Sequence, residues 1–172
     1  MARQTPIGAV TRGMLAGIAG SFVQNLFFSA TERIKPEPVK GAFRPPEPEQ
    51  REETATQTVA RRAVEDLMQH RKLSADKKKR AAHIVHYAFG GAWGAAYGLL
   101  AGSTRRAATL PGGLAFGTVV WEASDNGLLP AFRLAGKPAR YPLKTHAYAV
   151  AAHLVYGATV WAAFTALGGR RD

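Results

Sequence analysis

The sequence predicts an all-α protein: a four-helix transmembrane bundle with a basic, partly helical loop between helices 1 and 2. Three observations support this fold class. Charged residues concentrate in one segment, long uncharged stretches fill most of the remaining chain, and glycines recur at helical spacing. A chain of 172 residues suits a single membrane domain covering residues 1–172. The mean hydropathy of −0.13 suggests a water-soluble protein, but this average conceals the segregation of polar and apolar residues.

The charge of the chain is strongly positive and unevenly distributed. There are 23 lysines and arginines against 12 acidic residues, which gives a formal net charge of +11. More than half of the basic residues and three quarters of the acids fall within residues 31–80. The chain has no cysteine, which excludes a disulfide scaffold, a thiol nucleophile and cysteine-ligated metal sites.

Four uncharged stretches predict the four helices, at about residues 8–30, 75–103, 107–126 and 145–168. A hydrocarbon core about 30 Å thick needs roughly 20 helical residues, and the first, second and fourth stretches are long enough. The third qualifies only if Glu122 lies near an interface or faces protein. Amphipathic soluble helices normally show a polar residue in every turn, so a soluble helical domain is the less favoured alternative.

The first stretch is expected to remain as a transmembrane helix. Arg3 and Arg12 would suit the basic start of a signal peptide, but the apolar part that follows is longer than such peptides need. A signal peptidase could cleave only after the small residues Ser29–Ala30, and bulky Phe28 occupies the −3 position of that site.

Small residues at four-residue spacing predict close helix contacts. Lipid gives helices no hydrophobic reason to associate, so membrane helices pack through residues that let their backbones approach. The glycines predicted to pack helices are Gly13, Gly17, Gly90, Gly94, Gly98, Gly113, Gly117 and Gly157. Residues 13–17 also resemble 113–117, and 81–85 resemble 151–155, which suggests a repeated two-helix unit.

The segment 31–74 is predicted to be a polar loop rich in proline and charge. Within it, Val59, Ala63, Leu67 and Met68 fall at the spacing of a short amphipathic helix. The basic run that follows is interpreted as a positive-inside anchor or as a site for anionic lipid head groups. It comprises Lys77, Lys78, Lys79 and Arg80. A nucleic-acid patch is the less favoured alternative, because no base-stacking aromatic residues accompany the run.

Six ionisable residues lie within or beside the uncharged stretches: His83, His86, Glu122, Asp125, His146 and His153. Members of this candidate polar cluster fall three or seven residues apart, a spacing that shares one helix face. Three interpretations remain open: hydrogen bonds between helices, a proton or ion path, and a metal site. No catalytic triad, phosphate-binding loop or dinucleotide fingerprint is present. We therefore expect no enzyme activity, no catalytic residue, no cofactor and no bound metal.

Several blocks of this sequence resemble the YagU-like inner-membrane proteins. These blocks are residues 13–20, 86–98, 113–117, 128–130 and 152–157. The resemblance covers most of the chain outside the loop, and it implies a small multi-pass protein of the bacterial inner (cytoplasmic) membrane. That family has no assigned biochemical activity, so the resemblance supplies no catalytic residues.

Two functions are therefore expected for a membrane protein of this kind. The first is a structural or accessory role, through helix packing with the bilayer, a second copy or another membrane protein. The second is a small proton or ion conductor or transporter that uses the intramembrane histidines and carboxylates. A soluble basic nucleic-acid-binding protein is the third and least favoured possibility.

Overall fold

A computed structural model describes residues 5–34, 57–59, 62 and 74–169, and these residues contain helices and no strand. The four long helices are α1 (Pro6–Ala30), α2 (Ala75–Ser103), α3 (Leu110–Trp121) and α4 (Leu143–Phe164). The protein is therefore all-α in its described part. Residues 57–59, which include Val59, are helical. Ala63, Leu67 and Met68 of the expected amphipathic helix lie outside the described residues.

Threonine caps begin two of the helices. The amide of Gly8 donates to Thr5 Oγ1 (3.1 Å) at the start of α1, and Pro6 occupies the first turn. The amide of Gly112 donates to Thr109 Oγ1 (3.2 Å) at the start of α3. Such caps satisfy amide groups that have no partner within the helix. Ser74 takes the N-cap position of α2 but makes no capping hydrogen bond through its side chain.

The helix α3 is shorter than predicted because its winding changes after Trp121. Residues Glu122–Leu128 form a π-helical segment, and one α-helical turn (Leu129–Ala131) follows. The helix α4 also ends in a π-helical segment, Thr165–Gly169, where Gly168 has a φ of 76°. A wide π turn places side chains on faces that an α-helical spacing does not predict.

The four helices form an antiparallel bundle. The helix α1 packs along both α2 and α4, and α3 packs along α4. Ring contacts join α2 to α3, where Trp93 and Tyr97 meet Phe116. Each helix therefore lies beside two others, and α4 also contacts α2 across the bundle. The C-terminal ends of α1 and α3 share one end of the bundle with the N-terminal ends of α2 and α4.

Large buried side chains concentrate at the other end of the bundle. The ring of Tyr97 lies 5.0 Å from that of Phe116 and 5.6 Å from that of Phe164, between ring centroids. We call Tyr97, Phe116 and Phe164 the aromatic layer. Tyr97 and Phe164 are fully buried, and the Tyr97 hydroxyl donates to the carbonyl of Ala107 (2.7 Å). This layer is therefore closely packed with its one hydroxyl satisfied.

Outside the core, large apolar side chains point away from the bundle. On α1, Phe22 is 54% exposed and Leu26 is 53% exposed, whereas the neighbouring buried positions hold glycine, alanine, serine and glutamine. The helices α2 and α3 continue the pattern with exposed Ile84 and Val119. Large apolar side chains therefore lie both in the aromatic layer and on the outer surface of the bundle.

Two helices of the described residues are long and apolar enough to cross a membrane: Pro6–Ala30 and the continuous helix Leu143–Gly169. Only 33% and 28% of their most apolar windows are buried within the protein. The other two helices do not meet this combined test of length and apolarity. The helix α2 is uncharged over most of its length, but glycine, histidine, tyrosine and tryptophan make it only weakly apolar. The helix α3 is too short before its π-helical segment.

Candidate functional site: a polar cluster near one end of the bundle

One end of the bundle is rich in exposed basic side chains, and we call it the basic end. It comprises the connection from α3 to α4, the start of α2 and the end of α1. Exposed there are Arg33, Lys77, Arg80, Arg133, Lys137, Arg140 and Lys144. The opposite end has Arg105 and Arg106 in the turn between α2 and α3. Of the predicted head-group residues, Lys77 and Arg80 are exposed, and the side chains of Lys78 and Lys79 lie outside the described part.

Asp125 faces the interior of the half of the bundle next to the basic end. The π-helical segment carries it towards α4, where it interacts electrostatically with His146 and His153. These two histidines lie on one face of α4, separated by two turns. The structure therefore brings one carboxylate and two imidazoles, from two helices, into the same region.

Hydrogen bonds fix the orientation of both α4 histidines. His153 Nδ1 lies 2.9 Å from the carbonyl oxygen of Ala149, and His146 Nε2 lies 3.1 Å from that of Pro138. A carbonyl oxygen can only accept, so the nitrogen facing it carries a proton. The other ring nitrogen of each neutral histidine is then an acceptor that can bind a further proton.

His86 extends this region to α2. It interacts electrostatically with His153 and lies beside the backbone of Ser21 on α1. Its Nε2 atom is buried and makes no hydrogen bond. His153 is therefore the member that interacts both with Asp125 in the π-helical segment and with His86 on α2.

Buried polar atoms without a hydrogen-bond partner accompany the cluster. Ser21 is 1% exposed and Ser124 is 3% exposed, and neither hydroxyl has a partner. Trp121 Nε1 and Thr145 Oγ1 are buried and unpartnered as well. The Trp121 ring lies 6.1 Å from that of His146, between centroids. All of these groups occur in the half near the basic end. A buried polar group without a hydrogen-bond partner lowers the stability of the fold by roughly 1–3 kcal/mol.

Two predicted members lie outside this interior region. Glu122 is exposed, and its Oε2 accepts a hydrogen bond from Asn126 Nδ2 (2.7 Å). In a π turn each residue advances by a smaller angle than in an α-helix, so Glu122 and Asp125 do not share a face. His83 is also exposed, although it interacts electrostatically with His86. The interior cluster is therefore His86, Asp125, His146 and His153.

Neighbouring amides and a tyrosine join the helices around the cluster. Gln24 Nε2 donates to the carbonyl of Ala152 (3.2 Å), and Asn25 Nδ2 donates to Tyr87 Oη (3.3 Å). The Tyr156 hydroxyl donates to the carbonyl of Gly90 (2.6 Å), which links α4 to α2. These bonds fix the helices that carry the cluster.

The predicted packing glycines occupy close helix contacts. A Cβ atom on Gly13 would lie 2.8 Å from Gly98 Cα, and one on Gly17 would lie 2.8 Å from Gly94 Cα. Gly90 faces Ser21 across the same contact. The position that a Cβ would take on several of these glycines points at a carbonyl oxygen, as in Cα–H···O contacts between helices. Only glycine fits such an approach.

The contact between α3 and α4 repeats this geometry. A Cβ on Gly113 would meet the Gly157 carbonyl at 2.8 Å, and one on Gly157 would meet Gly117 Cα at 2.9 Å. Gly157 therefore takes the place in α4 that Gly94 takes in α2. The similarity of residues 81–85 to 151–155 pairs His83 with His153, whereas the glycine contacts make Gly90 of α2 the counterpart of His153 of α4. The glycine contact of the first helix pair is thus repeated in the second, in a register that differs from the one the sequence similarity predicts.

Sequence reasoning missed the contribution of Ser21, Trp121, Ser124, Thr145 and Tyr156. Uncharged residues of these types are common in membrane helices, so their identity alone gives no signal. The spacing of Ser21 four residues after Gly17 was the available indication that it lies in the helix contact.

The comparisons with known proteins add no relative. No family model, curated protein or solved structure gives a significant match to this chain. Within the described part of the chain, no group of three or more histidine, aspartate or glutamate side chains is arranged to hold a metal ion. The residues and their geometry therefore carry the functional argument.

Proposed function

We propose that this chain is a multi-pass integral membrane protein whose four helices all cross the bilayer. The observation that carries the proposal is the distribution of side chains on the helices. Large apolar residues such as Phe22, Leu26 and Val119 face outwards, and glycines form the helix contacts. Exposure of this outer surface to water would be unfavourable, whereas lipid solvates it, and helices in lipid pack through small residues.

The distribution of charge supports an orientation in which the basic end faces the cytoplasm. Exposed lysines and arginines concentrate at that end, as the positive-inside rule requires. Lys77 and Arg80 would then lie at the level of anionic lipid head groups, each contributing about 1 kcal/mol of attraction. The location we propose is the bacterial inner membrane, in keeping with the resemblance to YagU-like proteins.

The role we propose is structural or accessory and non-enzymatic, exercised through helix packing with lipid, a second copy or a membrane partner. Two glycine contacts hold the bundle itself, so the outer faces of α2 and α3 remain available for lipid or another membrane protein. This role rests on the membrane location, and the first experiment must test that location.

Membrane fractionation followed by alkaline washing tests the location. We expect the chain to stay with the membrane after washing and to require detergent for extraction. A reporter fused after residue 172 and another inserted between Arg105 and Arg106 should report the same side of the membrane. A chain that remains monodisperse in buffer without detergent would contradict the proposal.

A second candidate function is proton or ion transport, favoured by the convergence of Asp125, His153 and His86 inside the bundle. Ionisable groups at membrane depth are costly and often lie on transport paths. In proteoliposomes, a pH gradient should drive a flux that Asp125→Asn or His153→Gln abolishes and Glu122→Gln preserves. Equal flux in all variants, or none in the wild type between pH 5 and 8, would reject this candidate.

A further inference from the structure

We infer that the half of the bundle next to the basic end encloses a hydrated proton-binding site, formed by Asp125, His153 and His86, that exchanges protons with that side alone. The inference goes beyond the proposed structural role and rests on the proposed membrane location. It assigns a ligand, the proton, and a single side of access to the interior cluster.

Unpartnered polar atoms indicate that this interior is wet. Ser21 and Ser124 are almost completely buried, and their hydroxyls have no protein partner. The Nε2 atom of His86 is also buried and has no hydrogen-bond partner. Buried polar groups are nearly always hydrogen-bonded to protein or to water, and several unpartnered groups in one region meet the requirements of internal water.

The same region can take up protons because it combines acceptors of two kinds. Ala149 fixes the His153 proton on Nδ1, which leaves Nε2 as an acceptor, and Asp125 interacts with this histidine. A proton that arrives from water forms an N–H bond at Nε2 and makes the imidazole cationic, and the Asp125 carboxylate stabilises that charge. Release to water breaks the same bond and restores the neutral ring.

The titratable groups that face Asp125 and one another come from α4 and α2. From α4, His146 and His153 face Asp125, and from α2, His86 faces His153 and is itself near His83. The helix α1 contributes the neutral Ser21 and Gln24, and its only charged residue, Arg12, lies near the opposite end. Asp125 is therefore the single interior carboxylate among the described residues, and the ionisable groups that interact with it are histidines.

Access is one-sided because the aromatic layer closes the other half. Tyr97 and Phe164 are fully buried, Val160 packs with them, and the hydroxyl of Tyr97 is already paired with Ala107. Among the described residues, this packing contains no buried polar atom without a partner that would stabilise water. At the basic end, by contrast, the ring of His146 lies 6.4 Å from that of Tyr141, between centroids, and Tyr141 directly follows the exposed Arg140 of the connection.

The absence of native cysteine makes a direct test of access possible. Single variants Ser21→Cys and Ser124→Cys are reconstituted in vesicles of known orientation and treated with a small, membrane-impermeant thiol reagent. Thiol modification requires the thiolate, which forms only where water reaches the sulfur. We expect reagent added at the basic end to modify both variants at least about tenfold faster than reagent added at the other side.

Two control variants separate the possible outcomes. Ala101→Cys, in the closed half, should remain unmodified from either side. Phe22→Cys, on the outward apolar face, should also remain unmodified if lipid covers it. Rapid modification of Phe22→Cys would show that the proposed membrane location is wrong. An unmodified Phe22→Cys together with unmodified Ser21→Cys and Ser124→Cys would overturn the present inference alone.

Histidine titration followed by NMR tests the identity of the ligand in the same vesicles. Asp125→Asn removes the carboxylate that interacts with His153 and should change the pH dependence of the His153 ring signals. The matched variant Glu122→Gln removes an exposed carboxylate and should leave that pH dependence unchanged. A His153 signal that does not titrate between pH 4 and 9, or that responds equally to both variants, would overturn the assignment.

Discussion

The two helix pairs of this protein make the same backbone contact and surround it with different residues. In the α1–α2 pair, the positions one turn either side of Gly94 are Gly90 and Gly98. In the α4 helix of the second pair, the corresponding neighbours of Gly157 are His153 and Trp161. One central glycine is enough to bring two backbones together, and the flanking positions can then differ.

This difference assigns separate tasks to the two pairs. The α1–α2 pair uses a continuous row of glycines and holds two helices at close distance over several turns. The α3–α4 pair keeps one close approach and places an ionisable ring and an indole beside it. Trp161 Nε1 donates to the carbonyl of Ala108 (3.2 Å), and His153 belongs to the interior cluster. The first pair provides the longer glycine contact, and the second carries His146 and His153, two of the four members of the interior cluster.

The largest expected effect is the loss of the α1–α2 contact in Gly94→Leu. Any side chain here would overlap the backbone of Gly13 and Gly17, so the helices must separate. We expect a destabilisation of at least about 3 kcal/mol and a loss of monodisperse protein on size exclusion in detergent. The control Gly127→Leu, at an exposed glycine with open surroundings, should behave as the wild type. Normal assembly of Gly94→Leu would contradict the packing assignment.

Adding one methyl group to each pair compares the two contacts directly. Gly94→Ala and Gly157→Ala place a Cβ against equivalent backbone atoms, and we expect each to lower the free energy of unfolding by about 1–3 kcal/mol. Thermal unfolding in detergent measures both. If only Gly94→Ala is destabilised, the two pairs are not equivalent and the repeated unit must be rejected.

A smaller effect is expected where single hydrogen bonds connect the pairs. Tyr156→Phe removes the bond to the Gly90 carbonyl, which joins α4 to α2, and should cost about 1 kcal/mol. Tyr97→Phe removes the bond to Ala107 in the aromatic layer and should cost a similar amount. Chemical denaturation of the two variants measures the difference. A neutral Tyr156→Phe would mean that this bond does not hold the pairs together.

The smallest effect concerns the capped starts of the first helix of each pair. Thr5→Ala and Thr109→Ala each remove one exposed capping hydrogen bond, and Thr109→Ala also removes the bond that Thr109 Oγ1 donates to the carbonyl of Arg106 (2.7 Å). We expect a loss of about 0.5 kcal/mol for Thr5→Ala and of about 1 kcal/mol for Thr109→Ala. The corresponding serine variants retain the hydroxyl and should restore stability. A loss several times larger in only one of the variants would show that its threonine does more than cap a helix.

The sequence predicted the helical class and the glycine contacts because both depend on local spacing. Uncharged length alone overestimated how apolar the second stretch is, since glycine and aromatic residues with polar groups carry no charge yet partition weakly into lipid. The four-residue spacing of Gly90, Gly94 and Gly98 defines one face of a regular helix, and the structure places that face against α1. Spacing is therefore informative wherever the winding is regular.

The arrangement of the polar residues could be predicted only in part. The pairing of Glu122 with Asp125 assumed α-helical winding, and the π-helical segment separates them. The similarity of residues 81–85 to 151–155 misaligned α2 with α4, because small residues recur often enough to match in more than one register. The roles of Ser21 and Ser124 depend on which helices meet at those points, and this information is tertiary.

The π-helical segment Glu122–Leu128 acts as a built-in register shift within the chain. Deleting one residue from it would let the segment rewind as an ordinary α-helix, and every side chain beyond the deletion would rotate about the helix axis. Asp125 would then leave its histidine partners while the start of α3 and its glycines remained in place. This one π-helical turn sets the direction of Asp125 and leaves the glycine contacts of α3 unaffected. Mutations in the turn can therefore change the polar cluster without changing the helix packing.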